Sequence, residues 1–402
     1  MDRRRWFKTL LHPEKFLAAT SSIDAVTGAA SKAGFRPEPR PPDAAQNSLA
    51  QAEYATRLSG KRVRCDLCPN RCVLSPGQAG RCRTRENIGG TLFSNCYGLT
   101  VAPVLAFRHP QSPLLYHGLK GGMGVVGLVG CGLRCSFCYA WKNAQADPRT
   151  LHVPVTSPVA ALEYVRRQDA TCLAFTNHEP INNFEYTFDL ASLAKSSGMP
   201  CLLGTAGYVN AEPLAALFEY VDGFNVGIKA FSDAAYRKYT GGRLAPVLDR
   251  LKMMRASGKP LEVSYLVIPT LNDSSTEIRT MAAWVRDNLG PYTPVSLSRF
   301  YPSFKLTNLP PTPPATLYRA QDICRQEGLK FVQFFLANIL TDDNVWDNPK
   351  RLATVHCPYC NAVLVSYNGQ AGGPRFVNNV RGGKCGGCGK AIPGLMQVVS
   401  RV

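Results

Sequence analysis

"MGVVGLVGCGLRCSFCYAW", residues 123–141, carries the two signals that decide the architecture. Its first eight residues form a short apolar run with three valines, the pattern of a strand buried in a sheet. Cys131, Cys135 and Cys138 follow at once in the spacing Cys-x3-Cys-x2-Cys, with a glycine before them and aromatics after. Further along, similar apolar runs recur at 172–176, 201–206, 223–229, 261–269 and 295–301, with a seventh candidate at 330–338. Helical patterns fall between them at 157–168, 184–198, 211–220, 243–257 and 274–289. Strand–helix alternation of this period implies parallel βαβ units. "GLVGCG" lacks the third glycine and the helix start of a dinucleotide-binding turn, which argues against an open doubly wound sheet. The expected fold is therefore α/β, a partial (β/α)6-type TIM-like barrel. Barrels carry their chemistry on loops at the C-terminal ends of strands, and the cysteine triplet sits on such a loop.

Three thiolates can hold three irons of a [4Fe–4S] cluster and leave the fourth iron open. An open metal position marks a reactive site rather than a structural one. The other reading of these three residues is a zinc knuckle completed by a distant ligand. Two further cysteine groups flank the barrel pattern. Cys65, Cys68, Cys72 and Cys82 lie within 18 residues, a spacing that suits zinc or a second iron–sulfur cluster. Cys357-x2-Cys360 and Cys385-x2-Cys388 form the paired knuckles of a zinc-ribbon or rubredoxin-like site, where zinc is favoured over iron. The expected organisation is a basic arm and proline-rich linker at 1–60, a cysteine-rich module at 61–122, the barrel at 123–345 and a four-cysteine module at 346–402.

Composition bounds the rest. The chain has 402 residues, 45% hydrophobic and 18% charged, the balance of a globular soluble protein. No run of 18 apolar residues occurs, so no membrane partner is expected. Arg4-Arg5-Trp6-Phe7-Lys8 loosely resembles an export signal, but His12, Pro13, Glu14 and Lys15 interrupt the apolar stretch that should follow. Eleven of the 15 cysteines fall into the three metal-ligand groups, which points to a reducing, cytoplasmic compartment rather than disulfides. The formal charge is +18. Two four-thiolate zinc sites at −2 each and a three-thiolate cluster at −1 would leave +18 − 5, about +13. Part of the excess offsets thiolates, because residues 61–90 hold seven Lys/Arg against two acids. An acidic protein, peptide or nucleic-acid partner stays open on charge alone, with nucleic acid not favoured.

Cys131-x3-Cys135-x-Phe137-Cys138 resembles the signature of the radical S-adenosylmethionine (SAM) superfamily. The order "CDLCPNRC…GQAGRCRTREN", "YGLTVAPVL", "PLLYHGL", "VIPTLNDS", "SRFYPSFKLTNLPPTP" and "HCPYC…KCGGCGKAIPG" is similar to the AmmeMemoRadiSam-system branch, relatives of the pyruvate formate-lyase activating enzyme. The resemblance implies a [4Fe–4S] cluster on the triplet, with SAM chelating its open iron. One electron then releases a 5′-deoxyadenosyl radical that takes hydrogen from substrate. It also implies a low-potential electron donor of the flavodoxin or ferredoxin type. Residue by residue, Phe137 matches the position that borders adenine, and "FTNHEP" (175–180) matches the segment whose Glu179 accepts from the SAM amine. His178 there reads as a pocket-shaping side chain. "GTAGY" (204–208) brings Thr205 onto the turn after the third strand. In "GIKAFSD" (227–233), Lys229 matches the lysine that pairs with the SAM carboxylate, while Gly227 stands where those relatives have aspartate. "LVIPTLND" (266–273) places Val267 in the segment whose backbone flanks adenine.

These readings give a radical SAM enzyme acting on a protein or peptide, as an activating enzyme for a glycyl-radical partner would. The alternatives are the same chemistry on a small molecule, or a non-enzymatic zinc or nucleic-acid-binding protein.

Overall fold

The computed structural model describes residues 48–107, 122–176, 178–334, 354–368 and 375–392. Most of the N-terminal arm with its linker, the "PLLYHGL" segment and the tail beyond Ile392 lie outside them. The centre is one eight-stranded sheet: β1 (Thr100–Phe107), β2 (Gly122–Leu128), β3 (Ala170–Phe175), β4 (Cys201–Thr205), β5 (Gly223–Ile228), β6 (Leu261–Val267), β7 (Val295–Arg299) and β8 (Val332–Phe334). Strands β2 to β8 run parallel in sequence order, and β1 adds antiparallel to β2. The strand order is linear, so the sheet is a partial barrel with β1 and β8 at its edges. Part of the expected seventh strand at 330–338 lies outside the described residues; Val332–Phe334 is strand.

Among the described residues a four-residue helix, Trp141–Ala144, follows the triplet, and seven longer ones connect the strands: α1 (Pro158–Arg167), α2 (Phe184–Ser196), α3 (Ala211–Leu217), α4 (Asp233–Thr240), α5 (Leu244–Ala256), α6 (Ser275–Leu289) and α7 (Pro314–Gln326). Their starts are written in the sequence. The Ser157 hydroxyl caps α1 by accepting from Ala160 N–H at 3.2 Å, and Pro158 fills the first turn, where no N–H is needed. Ser274 caps α6 through Glu277 N–H at 3.2 Å. Ile278, Met281, Ala282, Val285 and Leu289 then bury one stripe of α6 against the sheet. Helix α4 stops at Gly241, whose φ of 66° is a left-handed conformation that glycine adopts without penalty.

Small antiparallel ladders stand at both ends of the barrel. Ala55–Arg57, Val63–Cys65 and Val73–Leu74 form one, and Ala50–Gln51, Thr91–Ser94 and Arg85–Ile88 form another. A fully buried ion pair, Arg85 Nη2 to Glu185 Oε1 at 2.6 Å, fastens the second ladder to α2. Arg85 Nη1 also donates to Glu53 O at 2.7 Å, and Glu53 N donates to Glu185 Oε1 at 2.9 Å. At the other end, Val355, Cys357, Leu364, Val380, Cys385 and Ile392 pack on Phe331 and Tyr292, which precede β8 and β7. That places the C-terminal module at the N-terminal end of the barrel strands. No helix among the described residues is long and apolar enough to cross a membrane.

Candidate functional site

Because β2 to β7 are parallel, the residues just after each strand gather at one end of the barrel. Cys131 follows β2, Glu179 follows β3, Thr205 and Val267 end β4 and β6, and Lys229 follows β5. The sequence-predicted residues of the triplet and its surroundings therefore meet at the C-terminal face.

The triplet loop has little regular structure, so its backbone groups are satisfied from outside. Arg134 N donates to Thr240 O at 2.7 Å and Ser136 N to Tyr239 O at 2.8 Å, which uses the free carbonyls at the C-terminus of α4. Asn182 Oδ1 accepts from Gly132 N at 2.6 Å, and Asn183 Nδ2 donates to Val129 O at 2.6 Å. Lys305 N donates to Ser136 O at 2.9 Å and Ser303 Oγ to Cys138 O at 3.2 Å, so the segment after β7 also lies on the triplet. There Phe304 stacks on Trp141 with ring centroids 5.2 Å apart. Phe137 is buried within the core cluster.

Glu179 is buried and held at both carboxylate oxygens. Thr205 Oγ1 donates to Oε1 at 2.7 Å, Ala206 N to Oε2 at 2.8 Å and Ile181 N to Oε1 at 3.3 Å. It thus caps the short 3-10 turn Pro180–Asn183 and also presents a fixed carboxylate. Burial raises its pKa, while the bonds from Ala206, Thr205 and Ile181 and the charge of Lys229 pull it down. The Lys229 side chain folds back beside Gly227, where a Cβ would lie 2.7 Å from Nζ. The Val267 carbonyl already accepts from Thr312 Oγ1 at 2.6 Å, leaving one lone pair.

Burial pushes the Cys131 thiol well above its usual range, with the charge of Glu179 adding to it. Cys135 is pushed up to about 12, also by burial, against an opposing pull from Lys229. Cys138 is raised by burial as well. Three thiolates persist in such a pocket only if a cationic centre ionises them. Among the described residues, the one group of three or more candidate ligands gathered within 4.8 Å is Cys357, Cys360, Cys385 and Cys388. Among the described residues, no fourth side chain closes the triplet into a single-ion site. A cluster, which spreads its thiolates over separate irons, fits it.

The C-terminal four do suit one ion. Cys357 and Cys388 Sγ are 3.8 Å apart, and Cys360 and Cys385 Sγ 3.7 Å. A tetrahedron with metal–sulfur bonds of about 2.3 Å has edges of about 3.8 Å. The N-terminal four share a small module but are not gathered within 4.8 Å. Burial raises Cys65 to about 11 and raises Cys68 further, with the neighbouring thiolates adding to both. This module docks on the triplet loop itself. Asn70 Nδ2 donates to Gly132 O at 2.8 Å, and Thr84 Oγ1 lies 3.1 Å from both Cys82 Sγ and Asn182 O. Arg134 sits between the two cysteine sets. Burial, Arg83 and Arg81 lower its pKa, while Cys82 and Cys131 raise it.

Residues 125–282 match the Radical SAM superfamily. The chain belongs to that superfamily. It is 32% identical over 321 residues to the uncharacterized protein MJ0808 of Methanocaldococcus jannaschii, covering 79% of this chain and 91% of that one. It is 27% identical over 176 residues to the pyruvate formate-lyase-activating enzyme of Clostridium pasteurianum, covering 42% of this chain and 73% of the enzyme. Among solved structures, a radical SAM methyltransferase from Sphaerobacter thermophilus aligns at TM-score 0.44 and 13% identity, over 73% of this chain and 80% of that one. Membership implies SAM and a [4Fe–4S] cluster, and the unclosed set of three thiols in the triplet fits a cluster with one open iron.

Sequence reasoning missed the bracing residues. Asn182, Asn183 and the C-terminus of α4 carry no motif, and only the folded contacts reveal them. Tyr236 on α4 was also missed. Its buried hydroxyl has no partner, and the charges of Cys135, Glu179 and Cys131 act on it.

Proposed function

We propose that this radical SAM protein cleaves SAM reductively and takes a hydrogen atom from a protein or peptide. When bound, the cluster would supply one electron to the SAM sulfonium, splitting the S–C5′ bond into methionine and a 5′-deoxyadenosyl radical. The chain's own share is binding and exclusion. Cys131, Cys135 and Cys138 anchor the cluster, and Asn182 and Asn183 hold their loop. Glu179, fixed by Thr205 and Ala206, accepts from the SAM amine, while Lys229 pairs with its carboxylate. Phe137 and the Val267 backbone border the adenine, and the barrel walls keep water from the radical. The observation that carries this reading is the placement of Glu179 and Lys229 at the same strand ends as the triplet: Cys131 follows β2, Glu179 follows β3 and Lys229 follows β5.

The likeness to a pyruvate formate-lyase-activating enzyme, whose name assigns it a protein target, supports the protein or peptide substrate. A flavodoxin- or ferredoxin-type donor would supply the electron. Cys357, Cys360, Cys385 and Cys388 would hold zinc or iron, and Cys65, Cys68, Cys72 and Cys82 zinc or a second iron–sulfur cluster. Protein purified without oxygen should hold at least about four irons and four sulfides and form 5′-deoxyadenosine from SAM under reduction. Colourless, zinc-only protein would refute the assignment.

A further inference from the structure

His178 stands one position before Glu179, and the two side chains turn to different walls of the barrel. Glu179 turns to β4, where Thr205 and Ala206 hold it. The His178 ring turns to β2, where its Nδ1 lies 3.4 Å from the Cβ position that Gly127 lacks. Gly124 on the same strand faces Val165 of α1, so by strand alternation residue 127 faces away from that helix into the barrel. Val101 Cγ2, 3.2 Å from the same Cβ position, walls the other side. The missing side chain leaves a gap between β2 and the ring, and Nδ1 faces it.

Both ring nitrogens of His178 are buried, and neither has a hydrogen-bond partner. Buried polar atoms in folded proteins are nearly always paired, and an orphan costs free energy that a bond would return. The ring is also neutral, because burial pushes its pKa down to about 4 and no charged neighbour contributes. A neutral imidazole presents one donor and one acceptor. An ammonium or a carboxylate would satisfy only one of them.

We propose that His178 is a substrate-recognition residue whose ring N–H donates to one backbone carbonyl of a peptide and whose other ring nitrogen accepts from a neighbouring backbone N–H. This rests on the reading above and deepens it, since it gives the peptide a contact inside the barrel on the side away from the SAM amine.

The test needs neither turnover nor the natural substrate. In the anaerobic holoprotein, His178→Phe removes two orphaned atoms and should raise Tm by about 2–4 °C. N-acetylglycinamide, a minimal peptide amide, should raise the Tm of the wild type and of His178→Gln in a concentration-dependent way. It should leave His178→Phe unmoved. A lowered Tm in His178→Phe would mean the ring is structural and would overturn the proposal. An equal response in all three proteins, or none in the wild type, would overturn the amide assignment. Wild type that binds the amide but makes no 5′-deoxyadenosine would count against the SAM reading and not against this one.

Discussion

Cys357, Cys360, Cys385 and Cys388 close to 3.7–3.8 Å across their facing pairs, whereas no such closure joins Cys131, Cys135 and Cys138. The closed set packs through Phe331 and Tyr292 against the N-terminal end of the strands, and Cys360 is exposed. The unclosed set lies at the C-terminal end, where Glu179 follows β3 and Lys229 follows β5. The same thiol ligand thus serves two purposes, and the surroundings set which. A cage that completes its own tetrahedron leaves a metal nothing further to bind. On the proposed function, a tripod beside Glu179 and Lys229 would leave one corner for a ligand carrying an amine and a carboxylate.

The sharpest way to break this contrast is to remove one leg of the tripod. Cys135→Ala should reduce 5′-deoxyadenosine formation to background while metal analysis still finds the C-terminal ion. Next in size is the joint that holds the N-terminal module on α2. Glu185→Ala strands the fully buried Arg85 guanidinium and should cost about 3–5 kcal/mol in chemical denaturation. Glu179→Ala removes one charge-assisted bond worth about 1.5–3 kcal/mol, so the KM for SAM should rise roughly 10- to 100-fold with iron content unchanged. An unchanged KM would separate Glu179 from SAM. The smallest effect on turnover should come from Cys385→Ser. It should release the C-terminal ion and expose that module to limited proteolysis, yet leave 5′-deoxyadenosine formation within a few-fold of wild type. Lost turnover with the module intact would make the closed site an electron relay and erase the contrast.

Much of the barrel was legible because its strands are apolar, β-branched runs and most of its helices carry apolar stripes. The expected strand at 223–229 is Gly223–Ile228, and the expected helix at 274–289 is Ser275–Leu289. The misses have physical causes. Helix α4 has only eight residues and buries only Tyr236 and Thr240, a stripe too short to read as a helix from sequence. Helix α7 follows a proline-rich stretch that reads as loop, although proline is well suited to a helix start. Strand β1 contains Pro103, which weakens a strand reading, and it lies at the sheet edge where proline is tolerated. At the site, cysteine spacing marked the triplet, but spacing cannot show that the Lys229 side chain folds back beside Gly227. That contact depends on the curl of the chain after β5.

The central claim is that SAM fills the open corner of a cluster on Cys131, Cys135 and Cys138. Electron–nuclear double resonance of the reduced protein with SAM labelled with ¹⁵N at its amine and ¹⁷O at its carboxylate tests it most directly. The account predicts hyperfine couplings from both labels, with the nitrogen signal weakened in Glu179→Ala. A reduced cluster whose spectrum is unchanged by SAM and shows neither coupling would contradict it.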